Sequence, residues 1–80
     1  MILLDTREFD HPVPLEMAVD AFRNLEKGEV IHMIHRKEPI PLFEIIAKNG
    51  GRTLSLQKSE SLWHIYITRD PQIDLEQYRV

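Results

Sequence analysis

The 80-residue sequence contains no cysteine, so it has neither a disulfide framework nor the thiolate clusters of common structural zinc sites, and its fold must rest on packing alone. Long apolar runs are also missing. Nothing approaches the roughly 18 residues of a membrane span, and the first residues lack the basic-then-apolar layout of a secretory leader. Positive charge is scarce: ten Lys and Arg face thirteen Asp and Glu, for a formal net charge of −3. General affinity for nucleic acid needs clustered cations that neutralise several phosphates, and only His35-Arg36-Lys37 forms a compact basic run, which reads as a solvated loop after a strand. Glycine-rich phosphate loops are excluded as well, because Gly50-Gly51 follows a helical pattern instead of leading into one. These absences leave a soluble, cytoplasmic single domain as the expectation, with no membrane or nucleic-acid partner. A chain of this length buries only about 60% of the surface its unfolded form exposes, so the core is small.

The residues that are present alternate between strand and helix patterns. Ile2-Leu3-Leu4 with Asp5 and Thr6 reads as a first strand. Leu15, Ala18, Val19, Phe22 and Leu25 then recur at helical spacing, with Glu16, Asp20, Arg23, Asn24 and Glu26 on the opposite side. Pro14 suits the first helical position, and Lys27-Gly28 reads as the end of the helix. Val30 to His35 is apolar at nearly every position, as in a central strand, and the strand–helix–strand order implies a right-handed parallel crossover. Leu42, Ile45 and Ile46, extended by Phe43, give a second helix its apolar stripe before Asn49-Gly50-Gly51 breaks it. Arg52 to Lys58 alternates, as does Leu62 to Arg69, and Ser59-Glu60-Ser61 joins them as a hairpin. The face free of helices is expected to carry His64 and Tyr66 with Thr53 and Ser55. Residues 1–69 form the domain, and 70–80 an arm that is weakly ordered or a short helix.

The first strand-to-helix junction carries the most informative motif. Asp5-Thr6-Arg7-Glu8-Phe9-Asp10-His11-Pro12-Val13-Pro14 resembles the opening of the TusA/SirA sulfur-carrier family, in which an Asp is followed at the same offset by Cys-Pro-x-Pro. Here His11 stands at the cysteine position and Glu8 where a glycine is usual. The chain resembles more closely the cysteine-less, uncharacterised branch of TusA-like domains, from about Leu3 to Thr68. The resemblance implies an α+β fold: a two-layer βαβαββ sandwich, with a mixed four-stranded sheet ordered 1-2-4-3, the last strand antiparallel to the others and both helices on one face. A second Pro-x-Pro-Leu, Pro39-Ile40-Pro41-Leu42, repeats the first, Pro12-Val13-Pro14-Leu15, 27 residues later.

Candidate chemistry follows from these positions. His11 faces a helix N-terminus, where an imidazole can donate, accept or ligate a metal, or simply pack at the turn. Imidazole has no sulfur with which to form a persulfide, so sulfur transfer by the family's route is excluded. Asp5 and His11 have no nucleophile beside them, and Asp5 reads as a strand-end residue. His32 and His64 fall on neighbouring strands if the family's sheet order holds, but no recognisable metal-ligand spacing completes a site around them or around His35. The expected binding residues are therefore Asp5, Arg7, His11, Pro12, Pro14 and Arg36, with no catalytic residue, no metal and no cofactor assigned. The expected function is a non-catalytic TusA-like binding module for a protein partner or a small anionic ligand, linked to sulfur or redox metabolism. The alternatives are a His- or metal-dependent enzyme or carrier in that metabolism, and a structural domain, monomeric or dimeric through its open sheet face.

Overall fold

A computed structural model describes residues 1–80. Its elements are β1 (Ile2–Asp5), α1 (Val13–Arg23), β2 (Ile31–His35), α2 (Ile40–Lys48), β3 (Arg52–Ser59), β4 (Leu62–Thr68) and a 3₁₀ turn, η1 (Leu75–Tyr78). The four strands form one mixed sheet ordered β1-β2-β4-β3. β1 and β2 run parallel, and β4 is antiparallel to both of its neighbours. This is the α+β arrangement expected from the sequence. No helix is long and apolar enough to cross a membrane.

Period-two alternation sorts the side chains by face. Ile31 pairs with Ile67 and Met33 with Ile65 across the β2–β4 ladder, and these four pack with Ala18, Phe22, Leu25, Leu42 and Ile46 into the main core. The Arg69 guanidinium lies 4.4 Å from the centre of the Phe22 ring and donates to the Phe22 carbonyl. The other face carries His32 opposite Tyr66, Ile34 opposite His64, and Leu54 and Leu56 beside Tyr66 and His64. On β3 the expected facing is reversed. Thr53 and Ser55 pair with Ile67 and Ile65 on the helix side, where Ser55 donates to the Glu38 carboxylate, while Leu54 and Leu56 take the helix-free face. The physical reason is the C-terminal arm, which folds back there as an apolar cover: Val30, Leu54, Tyr66 and Leu75 form a second buried cluster with Leu56, Ile73 and Tyr78 against it.

Polar anchors hold the arm. The buried Asp70 carboxylate accepts from the Gly28 and Gln72 amides, both at 2.9 Å. Arg52 donates to the carbonyls of Asp70 and Ile73, and Tyr78 stacks on Tyr66 with ring centres 4.5 Å apart. The cover reaches only part of the face. Towards β1, Leu3 is 65% exposed.

Two helix ends differ from the sequence reading. α1 starts at Val13 with Pro14 second, and it stops at Arg23 instead of Gly28. The Asn24 side-chain amide donates to the Asp20 carbonyl and the Leu25 amide to the Phe22 carbonyl, so the chain turns early while Leu25 still reaches the core. Gly28 serves the next turn, where its positive φ of 85° aims its N–H at Asp70. At the end of α2, Gly50 supplies the left-handed residue. Gly51 answers a different need, because a Cβ there would sit 2.6 Å from both Ile46 Cγ2 and Phe22 Cε1. Gly51→Ala should therefore destabilise the domain by about 1–3 kcal/mol through overpacking. Urea unfolding will show this as a lower midpoint at unchanged slope, and an unchanged midpoint would contradict the close approach.

Candidate functional site

The two Pro-x-Pro segments converge. Pro12 and Pro39 occupy equivalent cap positions and Pro14 and Pro41 equivalent second positions of α1 and α2. The two helix starts wall a cleft of about 140 Å³, lined by His11, Pro14, Leu15, His35, Lys37, Glu38, Pro39, Pro41 and Leu42. Its surface is mainly apolar. Helix N-termini ordinarily offer unpaired N–H groups to anions, but here Pro14 and Pro41 have none. The amides of Val13, Ile40 and Leu42 are turned onto the carbonyls of Asp10, Glu38 and Pro39. The Leu15 amide alone of α1's first turn has no backbone acceptor, and the cleft's charged side chains are Lys37 and the Glu38 carboxylate that accepts from Ser55.

His35 is the one polar ring built into the cleft's floor. As the last residue of β2 it shares the inward phase of Ile31 and Met33, and it is only 8% exposed. The Thr6 hydroxyl donates to the Ile34 carbonyl at 3.0 Å, so its single proton is committed. His35 Nδ1 lies 3.0 Å from that hydroxyl oxygen and 3.2 Å from the Thr6 carbonyl. Both are acceptors in this arrangement, which makes Nδ1 the protonated nitrogen and leaves Nε2 with a lone pair. Burial pushes the His35 pKa down, against an opposing contribution from the Thr6 carbonyl. His35 was read from the sequence as a strand-end loop residue. Its buried phase was legible in the Ile31, Met33, His35 alternation.

The six expected binding residues divide. His11, exposed and joined to Pro12 by a cis peptide bond, lines the cleft with Pro14. Pro12 caps α1 without entering the cleft lining. Arg36 turns instead to the preceding loop, donating to the Phe9 carbonyl at 3.0 Å and to Asp10 Oδ1 at 2.6 Å. Asp5 and Arg7 form an exposed, two-bond ion pair of 2.7 and 2.9 Å. Hydrogen bonds from Arg7 hold the Asp5 carboxyl at about 2. Asp5 is in register with Ile34, on the face away from the helices, so these two residues do not join His11.

A second polar group lies on that other face. His32 Nε2 and His64 Nδ1 are 2.8 Å apart and share one hydrogen bond. His32 stacks on Tyr66 at 4.5 Å, and Tyr66 on Tyr78, giving a three-ring column that ties the sheet to the arm. No group of three His, Asp or Glu side chains gathers here or elsewhere to hold a metal ion. A larger cleft of about 400 Å³ runs between α2, β3 and the arm beside Arg52, Asp74 and Glu76.

The fold defines a small α+β domain in which two proline-marked helix starts share one cleft. Residues 3–69 match the model of a family described as an uncharacterized conserved protein family, DUF2249, and the chain belongs to it. No curated protein and no solved structure matches the chain.

Burial pushes the pKa of His32 and His64 down as it does for His35. His64 adds repulsion at His32, and Lys58 does so at both. The unfolded chain therefore binds protons more readily than the folded one near the ordinary histidine value of 6.5, and unfolding free energy rises with pH there. Urea titrations between pH 7.5 and 5 should show full stability above that value and progressive loss below it. His64→Asn should flatten the slope, and a slope of opposite sign would contradict the burial of these rings.

Proposed function

We propose that the protein is a non-catalytic binding module that docks a protein partner at the cleft between its two Pro-x-Pro helix starts. The observation that carries this reading is the convergence of two identical motifs, far apart in sequence, on one small apolar cleft. Proline fixes φ and removes a donor, so the four prolines give the helix starts a rigid backbone with few free polar groups. That suits recognition of a side chain. A protein partner is favoured over a small anion because the cleft's surface is mainly apolar and, of the first-turn amides, those of Val13, Ile40 and Leu42 are occupied and Pro14 and Pro41 have none. The resemblance of the His11-Pro12-Val13-Pro14 segment to the TusA/SirA carriers supports a place in sulfur or redox metabolism without persulfide transfer, since no residue carries a thiol.

Two experiments test this. A photo-crosslinking residue in place of Lys37, at the cleft, should yield a discrete adduct in the source cell that the same residue in place of Glu60, on the β3–β4 turn, does not. Identical adduct patterns at the two positions would overturn the docking site. Treatment with a persulfide donor should leave the intact mass unchanged. A sulfur adduct removable by a thiol reductant would refute the exclusion of sulfur carriage.

A further inference from the structure

The Pro-x-Pro cleft is one end of a longer depression. Leu15, on its α1 wall, also lines an open, mainly apolar groove of about 620 Å³, to which α2 contributes Ile45. Val19, Arg23 and Ile45 carry that groove into a third hollow of about 280 Å³, which Phe22, Asn49 and Arg69 complete. Shared lining residues thus join the three along α1, whose 11 residues span about 16 Å. Leu15 and Val19 stand one turn apart, half-buried, with their inner sides packed on the main core. Ile45 is half-buried as well, yet it packs on neither buried cluster and lines the groove instead.

The charges beside this apolar floor are sorted along its length. Glu16 and Asp20 line the middle of the groove, one turn apart on α1, and neither belongs to an ion pair. Arg23, also unpaired, stands at the boundary with the third hollow, where Arg69 joins it over the Phe22 ring. On α2, by contrast, Glu44 and Lys48 satisfy each other at 3.1 Å. The open charges therefore run from acidic near the cleft to basic at the far end.

We infer that this groove receives an amphipathic helix of the partner polypeptide, about three turns long, with its apolar stripe on Leu15, Val19 and Ile45. Lys or Arg side chains of that helix meet Glu16 and Asp20, and Asp or Glu side chains meet Arg23 and Arg69. Grooves of this kind read anchors at i, i+3 or i+4, and i+7. A helix satisfies its own backbone between its ends, so it brings no unpaired donor or acceptor onto the apolar floor. The inference rests on the docking reading above, through the Leu15 that cleft and groove share, and it supplies the form and charge pattern of the docked segment.

The test is an amide NMR titration of the protein with two stapled helical peptides of about three turns that share one leucine stripe. The first carries Lys beside the stripe in one half and Glu in the other; its twin has Gln at all of those positions. The charged peptide should shift the Leu15, Val19, Ile45 and Asn49 amides, leave Glu60 on the β3–β4 turn unmoved, and bind about fivefold more tightly than the twin, the worth of a few exposed ion pairs. In Glu16→Gln/Asp20→Asn, whose substituted side chains are both exposed, most of that difference should vanish, as it should for the wild type at high salt. Equal binding of the two peptides to the wild type, or an unchanged difference in the variant, overturns the charge matching. Shifts confined to the helix-free face around Leu3 overturn the groove, while crosslinking at Lys37 decides the cleft separately. If the groove amides shift when the protein alone is concentrated, the occupant is a second copy of the chain and the partner helix is overturned. Absence of any shift at millimolar peptide overturns the inference altogether.

Discussion

The central constraint on this molecule is that β4 needs cover on both faces. It pairs with β2 on one edge and β3 on the other, and its buried residues alternate: Ile65 and Ile67 point to the helices, Tyr66 to the opposite side. Two helices cover only the first face. Residues 70–80 fold back over the second. Arg52 and Asp70 hold them there by backbone hydrogen bonds, and Leu75 and Tyr78 supply the apolar contact. Because the arm reaches β3 and β4 but leaves Leu3 open, the two halves of the sheet present different surfaces.

The cleft arises at the other end of the same architecture. A parallel β1–α1–β2 crossover followed by α2 places both helix starts beyond the C-terminal ends of β1 and β2, and the repeated motif makes those starts alike. The prolines act twice: they set the backbone for helix entry and carry no N–H of their own. What remains polar at the floor is set by β2, whose inward phase carries His35 beneath the helices. Thr6, at the end of β1, then decides which ring nitrogen is free.

Much of the fold was legible in the sequence because its signals are local. Helical spacing from Leu15 to Phe22 and alternation in Leu62 to Thr68 mark their elements directly, and the resemblance supplied the strand order that periodicity cannot. β3 was read with the wrong face inward because alternation gives two faces without saying which is covered. Leu54 and Leu56 point away from the helices to meet an arm whose own pattern is too short to read. The cleft was half visible. The Pro-x-Pro repeat and His11 stood out, but Asp5, Arg7 and Arg36 were grouped with them by nearness in sequence, whereas strand pleating turns Asp5 to the far face and Arg36 is drawn to Asp10. His35 was overlooked because a histidine at a strand end beside Arg36 and Lys37 looks solvated, and only the strand's phase says otherwise.

The sheet's two free edges bear on colloidal behaviour. An unpaired edge strand is a template on which other chains can add, and long, flat, apolar edges lead to fibrils. Neither edge here has that form. β1 is four residues long, and β3 carries Arg52 and Lys58 near its ends, with its register against β4 shifting between Gln57 and Ser59, an irregularity that bends a strand away from a flat approach. A domain that keeps Leu3 and part of a sheet face uncovered is thereby guarded, at both borders of its sheet, against edge-to-edge growth.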